Sequence, residues 1–159
     1  MDTGLKDRSC LKFILGYTDT ETVMLDFDHM PLEKVKYWAR RIMKFFKLEG
    51  FLILESSENC FHVVFNRRVS WSENMSIVAS VTLLSHNRGL RRWQLMQCRK
   101  QSASLRVSPK GVKASPKMVH HEGRQDGQIQ WYIEYRNLIM DIMENLDEFG
   151  ASNSPPIPQ

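Results

Sequence analysis

Two short segments hold the residues best suited to chemistry. VMLDFD (Val23 to Asp28) ends an apolar run on two carboxylates, Asp26 and Asp28. SSENCFHVVF (Ser56 to Phe65) sets a lone histidine, His62, in a second apolar run just behind a polar turn. Side chains on a strand alternate, so Asp26 and Asp28 share one face and Phe27 takes the other. Two carboxylates held roughly 5 Å apart repel by about 3 kcal/mol at an effective dielectric near 20. A divalent cation offsets that repulsion, and Mg²⁺ is typically held by one or two carboxylates, with water and substrate phosphates completing its shell. The order of carboxylate strand, helix, strand, Ser-turn and His strand therefore suggests a metal site beside a phosphate site. The plainer alternative is that the acids only end a strand. Pro31 suits a first helical position and makes Met30 the cap residue, so Asp28 lies two residues early for capping.

The elements that must position these residues follow from periodicity and punctuation. Leu11 to Tyr17 reads as a strand, TDTE as a turn, and Thr22 to Phe27 as its hairpin partner. Pro31 to Leu48 reads as a helix, with Leu32, Val35, Trp38, Ala39, Ile42, Met43 and Phe46 in one apolar stripe and Gly50 as its stop. Phe51 to Leu54 is a short buried strand, Glu55 to Asn59 a turn, and Cys60 to Phe65 the next strand. Ser70 and Glu73 have capping-box spacing for a second helix that ends near Gly89. Strands are expected at Trp93 to Cys98, Ser104 to Val107 and Lys117 to His120, with a Lys-rich Pro/Gly/Ser loop, SPKGVKASPK, before the last. Gln128 to Phe149 reads as a long amphipathic helix. From Thr22 to Val107 the order is β-α-β-β-α-β, the ferredoxin-like arrangement, with helices on one face of an antiparallel sheet and the other face open to ligand. The expected fold class is α+β, with a single domain over residues 1–150 and a disordered Pro-rich tail over 151–159.

At 159 residues the chain is long enough for a real core. No stretch is apolar enough to span a membrane, and the first residues lack the apolar core of a signal peptide. Cys10, Cys60 and Cys98 are odd in number and lack CxxC spacing, which argues against a disulfide framework and a four-ligand zinc site and favours a reducing, cytoplasmic setting. Net charge is only +4, but it is segregated. Asn74 to His121 contains no Asp or Glu, yet carries Arg88, Arg91, Arg92, Arg99, Lys100, Arg106, Lys110, Lys113 and Lys117. Such a stretch is an electrostatic footprint for nucleic acid or nucleotide phosphates, or else a solvated basic face.

These motifs together resemble the archaeo-eukaryotic primases and primase-polymerases. VMLDFD looks like their apolar-Asp-apolar-Asp motif, SSENCFHVVF like their Ser-turn-His motif, and LRVSPKG (Leu105 to Gly111) like the Arg-strand-Lys region of plasmid and viral members. The resemblance spans roughly Val23 to Gly111. It implies an RRM-like catalytic core in which Asp26 and Asp28 bind Mg²⁺ or Mn²⁺, with Ser56, Ser57, His62, Arg106 and Lys110 around the triphosphate of a nucleoside triphosphate. Arg91, Arg92, Arg99, Lys100 and Lys113 would meet a single-stranded DNA template. The implied reaction is attack of a 3′-hydroxyl on an α-phosphate, with metal ions stabilising the attacking and leaving oxygens and fixed cations holding the triphosphate. One departure stands out. The family's third acid is expected where WQLMQCRK puts Cys98, so Glu122, Asp126 or a partner subunit would have to supply it.

Two other function classes compete. Rolling-circle nicking endonucleases also use a ferredoxin-like core with a helical tyrosine, for which Tyr132 and Tyr135 are candidates, but their His-hydrophobic-His pair is missing. A noncatalytic nucleic-acid-binding or nucleotide-binding replication subunit is favoured by the basic stretch and the missing third acid. His120 and His121 are adjacent on a strand and face opposite ways, which does not make a metal pair.

Overall fold

The structure, a computed structural model, describes residues 14–152. Over these residues the fold is α+β, with four helices and two antiparallel sheets. Cys10, most of the expected first strand and the tail from residue 153 onward lie outside the described residues.

The main sheet is built from β2 (Thr22–Phe27), β3 (Gly50–Ser57), β4 (Cys60–Arg68) and β6 (Lys117–Gly123), in the order β2-β4-β3-β6. β4 is central and nearly continuous in apolar residues, Phe61 to Asn66 being buried throughout. A strand buried at every position has both faces covered. The helix α1 (Leu32–Phe45) lies between β2 and β3 and buries Val35, Ala39 and Ile42, as its stripe predicts. Pro31 takes the cap position in place of Met30, whose N–H instead reaches the Asn59 carbonyl at 2.9 Å. β3 and β4 are longer than expected, and the turn between them narrows to Glu58 and Asn59. Asn59 holds φ +54, a left-handed conformation that asparagine tolerates well.

The helix α2 (Trp71–Ser85) starts as its capping box requires, the Ser70 hydroxyl accepting from the Glu73 N–H. It ends at Ser85, with His86 at φ +53, short of Gly89. The expected strand at Trp93–Cys98 is instead the helix α3 (Arg88–Lys100). Asn87 caps it by accepting from the Leu90 N–H at 2.9 Å, and Leu90, Trp93 and Gln97 are buried at spacings of three and four. The exposed Leu95 and Met96 give the run its strand-like look.

The N-terminal pairing also differs. The strand β1 (Gly16–Asp19) does not form a hairpin with β2; it pairs with β5 (Ala103–Arg106) in a separate sheet. The Asp19 carboxylate explains this locally. It accepts from the Glu21 N–H at 2.8 Å and the Thr22 hydroxyl at 2.6 Å, an Asx-type turn that diverts the chain away from a hairpin.

The face opposite α1 is less open than expected. The helix α4 (Gln128–Ser152) packs against β4 and β1. Asn66 fixes its start, its Oδ1 accepting from Gly127 N at 2.9 Å and Ile129 N at 3.3 Å. Ile129 and Tyr132 are fully buried, while Trp131, Leu138 and Ile142 are exposed. Among the described residues no helix is long and apolar enough to cross a membrane.

Candidate metal and phosphate site

Asp26 lies directly across from His62 on β4, and His62 lies across from Leu54 on β3. Cross-strand partners share a face, so Asp26 and His62 point to the side of the sheet on which Asn66 holds α4. The His62 Nε2 is 3.7 Å from Asp26 Oδ1. The ring is buried, and its Nδ1 has no hydrogen-bond partner. Burial, and secondly the Arg106 charge, push His62 down to about 3, so the imidazole is neutral at physiological pH.

Asp26 moves the other way. Burial first and the Asp28 charge second push its carboxyl up to about 7, against the opposing pull of Lys113 and Arg106. Burial and a nearby like charge are the two means by which active sites raise a carboxyl toward neutrality.

Asp28 sits just past the end of β2 and is held by α3. The Asn87 side-chain amide donates to the Asp28 carbonyl at 2.7 Å. Gly89, in the first turn of α3, lies so close that a Cβ there would overlap the Asp28 carboxylate. The position also favours a negative charge, since a helix N-terminus carries partial positive charge. Sequence reasoning misses Asn87 and Gly89 because it assigns their segment to the end of α2. The usable signal is an Asn cap ahead of apolar positions 90 and 93.

The phosphate-side residues divide. Ser56 is part-buried and its hydroxyl is used within the turn, donating to the Cys60 carbonyl at 3.1 Å. Ser57 ends β3 opposite Cys60. Arg106, at the end of β5, donates to the carbonyls of Ser56 at 3.0 Å, Ser108 at 2.6 Å and Ala114 at 2.9 Å. It thereby ties the end of β3 to the loop that carries Lys110 and Lys113, besides contributing charge. Lys110 and Lys113 bond to one another through their backbones, and Gly111 at φ +58 lies at the tip. Asp26, Asp28, His62, Ser56, Arg106 and Lys113 are thus gathered around one end of the sheet.

The suggested third acids are elsewhere. Glu122 is on β6, three strands from β2, roughly 14 Å at the usual strand spacing. It is engaged by Arg40 at 2.8 Å. Asp126 pairs with Arg124 at 3.0 Å. Cys98 is exposed on α3, its thiol directed at Met75. Among the described residues no three His, Cys, Asp or Glu side chains form a metal-binding group. Asp28 is near enough for its charge to act on Asp26, and a pair of carboxylates is the donor set that Mg²⁺ takes when phosphate and water complete its shell; among the described residues no third protein donor joins them.

The basic residues of α3 separate from its buried side. Arg88, Arg91, Arg92 and Arg99 fall on one exposed face, opposite Leu90 and Gln97. Lys100 turns aside and donates to the Ser104 hydroxyl at 3.0 Å. A basic face therefore runs from beside Asp28 along a helix of 13 residues, about 20 Å at 1.5 Å per residue. Of the helical tyrosines, Tyr132 is fully buried, with its hydroxyl pushed up to about 12 by burial, and Tyr135 is half-exposed against Tyr17. Compared with known proteins, the chain matches no family model, no curated protein and no solved structure.

Proposed function

We propose that this chain is a primase/polymerase-type nucleotidyltransferase core, working on a single-stranded DNA template with nucleoside triphosphates and Mg²⁺ or Mn²⁺. The observation that carries the reading is the direct cross-strand pairing of Asp26 with His62, with Asp28 beside it and the charges of Arg106 and Lys113 acting on the same carboxylate. The strand order β2-β4-β3 with α1 between β2 and β3 supports three strands of the RRM-like core that the reading requires; the expected fourth strand, β5, pairs with β1 instead of β2, and β6 joins the sheet at the β3 edge.

Asp26 and Asp28 would hold the metal, which when bound supplies Lewis-acid stabilisation of charge on phosphoryl oxygens. The rest is done by the chain's own groups. His62, neutral and buried, lies directly across from Asp26, its Nε2 3.7 Å from Oδ1, and excludes water from that side of the carboxylate. Lys110 and Lys113 offer mobile-stemmed ammonium groups to phosphate oxygens, and Arg106 holds their loop in reach. The basic face of α3 offers charge to a strand's phosphates without reading bases.

A second reading is a noncatalytic nucleotide-binding or DNA-binding subunit that works with a replication partner. It is favoured by the absence, among the described residues, of a third acid near the pair. Incorporation of labelled nucleotides on a single-stranded template, with and without primer, tests the two. Synthesis that disappears in Asp26→Ala/Asp28→Ala supports the enzyme. No synthesis, with DNA still bound, favours the binding subunit.

A further inference from the structure

Two apolar features on opposite parts of the molecule have no partner among the described residues. The first is a groove of about 590 Å³ between α1 and α2. Trp38, Phe45, Val81 and Leu84 line it, with Arg41 and Lys44 among the lining residues. Phe45 is 80% exposed and Leu84 65% exposed. The second is the outer stripe of α4. Trp131, Tyr135, Leu138 and Ile142 are all exposed and recur at spacings of four, three and four. That spacing keeps them on one helix face, the pattern by which an amphipathic helix enters a groove.

Charge decides which surface suits the stripe. Glu134, Asp141 and Glu148 follow one another every seven residues along one flank of it. Pairing α4 with α4 of another copy would line up these acidic rows. The groove instead offers Arg41 and Lys44. We propose that α4 of one copy docks in the α1/α2 groove of a second copy, with apolar residues at the centre and the acidic row against Arg41 and Lys44. If both copies do this reciprocally the assembly closes as a dimer; otherwise the head-to-tail contact extends into longer chains.

The test is sedimentation of the full chain over a concentration series, with circular dichroism to establish that each variant is folded. The wild type is expected to associate, and Phe45→Asp and Ile142→Glu are each expected to be monomeric. Reversing the groove (Arg41→Glu with Lys44→Glu) or the α4 row (Asp141→Lys with Glu148→Lys) is expected to weaken association at least several-fold. A chain carrying both reversals is expected to recover it. A wild type that is monomeric throughout overturns the proposal. So does association that is lost in Ile142→Glu but retained in Phe45→Asp, because α4 would then be meeting some other surface. Failure of the double reversal to recover association also counts against it.

Discussion

Asp26 is a residue whose fold works against its charge. Its folded-state carboxyl lies near 7, above the ordinary value of 3.8, so the folded protein holds a proton that the unfolded chain has released. The sign follows from linkage: stability is greatest below the unfolded value and is lost as pH rises toward the folded one. Asp26→Asn, which cannot ionise, is therefore expected to stabilise the protein at pH 8 by roughly 1–3 kcal/mol, since a tenfold change in proton affinity between the unfolded and folded chain corresponds to about 1.4 kcal/mol. The gain should fade between pH 7 and pH 4. Thermal melts of both proteins across that range check this; a gain independent of pH would mean that repulsion and burial at Asp26 are not its cause. Gly89→Ala is a second residue-scale case. Alanine normally favours a helix by about 1 kcal/mol over glycine, but here its methyl group would displace the Asp28 carboxylate. We expect lower stability and weaker divalent-cation binding, measured by melting with and without Mn²⁺. The acids and His62 are legible in the sequence because residue type and strand alternation suffice to bring them forward. The role of Arg106 as a three-carbonyl clamp is not, since its acceptors lie on three separate segments.

At the scale of elements, α3 carries the clearest consequence. Its exposed arginines are expected to bind single-stranded DNA through phosphates, so affinity should fall with salt, with a slope of about 0.7 per neutralised phosphate. Replacing Arg91, Arg92 and Arg99 by Ala is expected to reduce that slope by about 2, uniformly across oligonucleotide sequences. Fluorescence anisotropy at several salt concentrations measures it, and an unchanged slope would remove α3 from the interface. The same helix shows how a local pattern misleads. WQLMQC has the apolar density of a strand, and what makes it a helix is the Asn87 cap, together with the contacts that bury one face. Trp93 Nε1 donates to the Ser104 carbonyl at 3.1 Å, and Gln97 Oε1 accepts from the Ser104 N–H at 3.0 Å. The helices α1 and α2 are readable because their stripe and capping box are local. Ser70→Ala should cost about 1 kcal/mol, as caps generally do, visible as a lower denaturation midpoint.

At the scale of the molecule, local pattern conveys the α+β class and the succession from β2 to α2. It does not convey which strands meet. β1 pairs with a strand 86 residues away, Thr18 opposite Ser104, and no short-range signal encodes that choice. Nor does it show that α4 covers part of the supposedly open face while turning Trp131 and Leu138 outward. The resulting arrangement sets an acidic pair at one end of the sheet, a basic loop beside it and a basic helix leading away from it.

The proposed function requires Asp26 and Asp28 to hold a divalent cation together with a triphosphate. Electron paramagnetic resonance of free Mn²⁺, titrated with protein in the presence and absence of a nucleoside triphosphate, tests it most directly. The protein alone is expected to take up Mn²⁺ weakly, with much stronger uptake in the presence of the triphosphate than either component gives separately, and loss of that gain in Asp26→Asn. Uptake that is the same in wild type and Asp26→Asn would contradict that requirement.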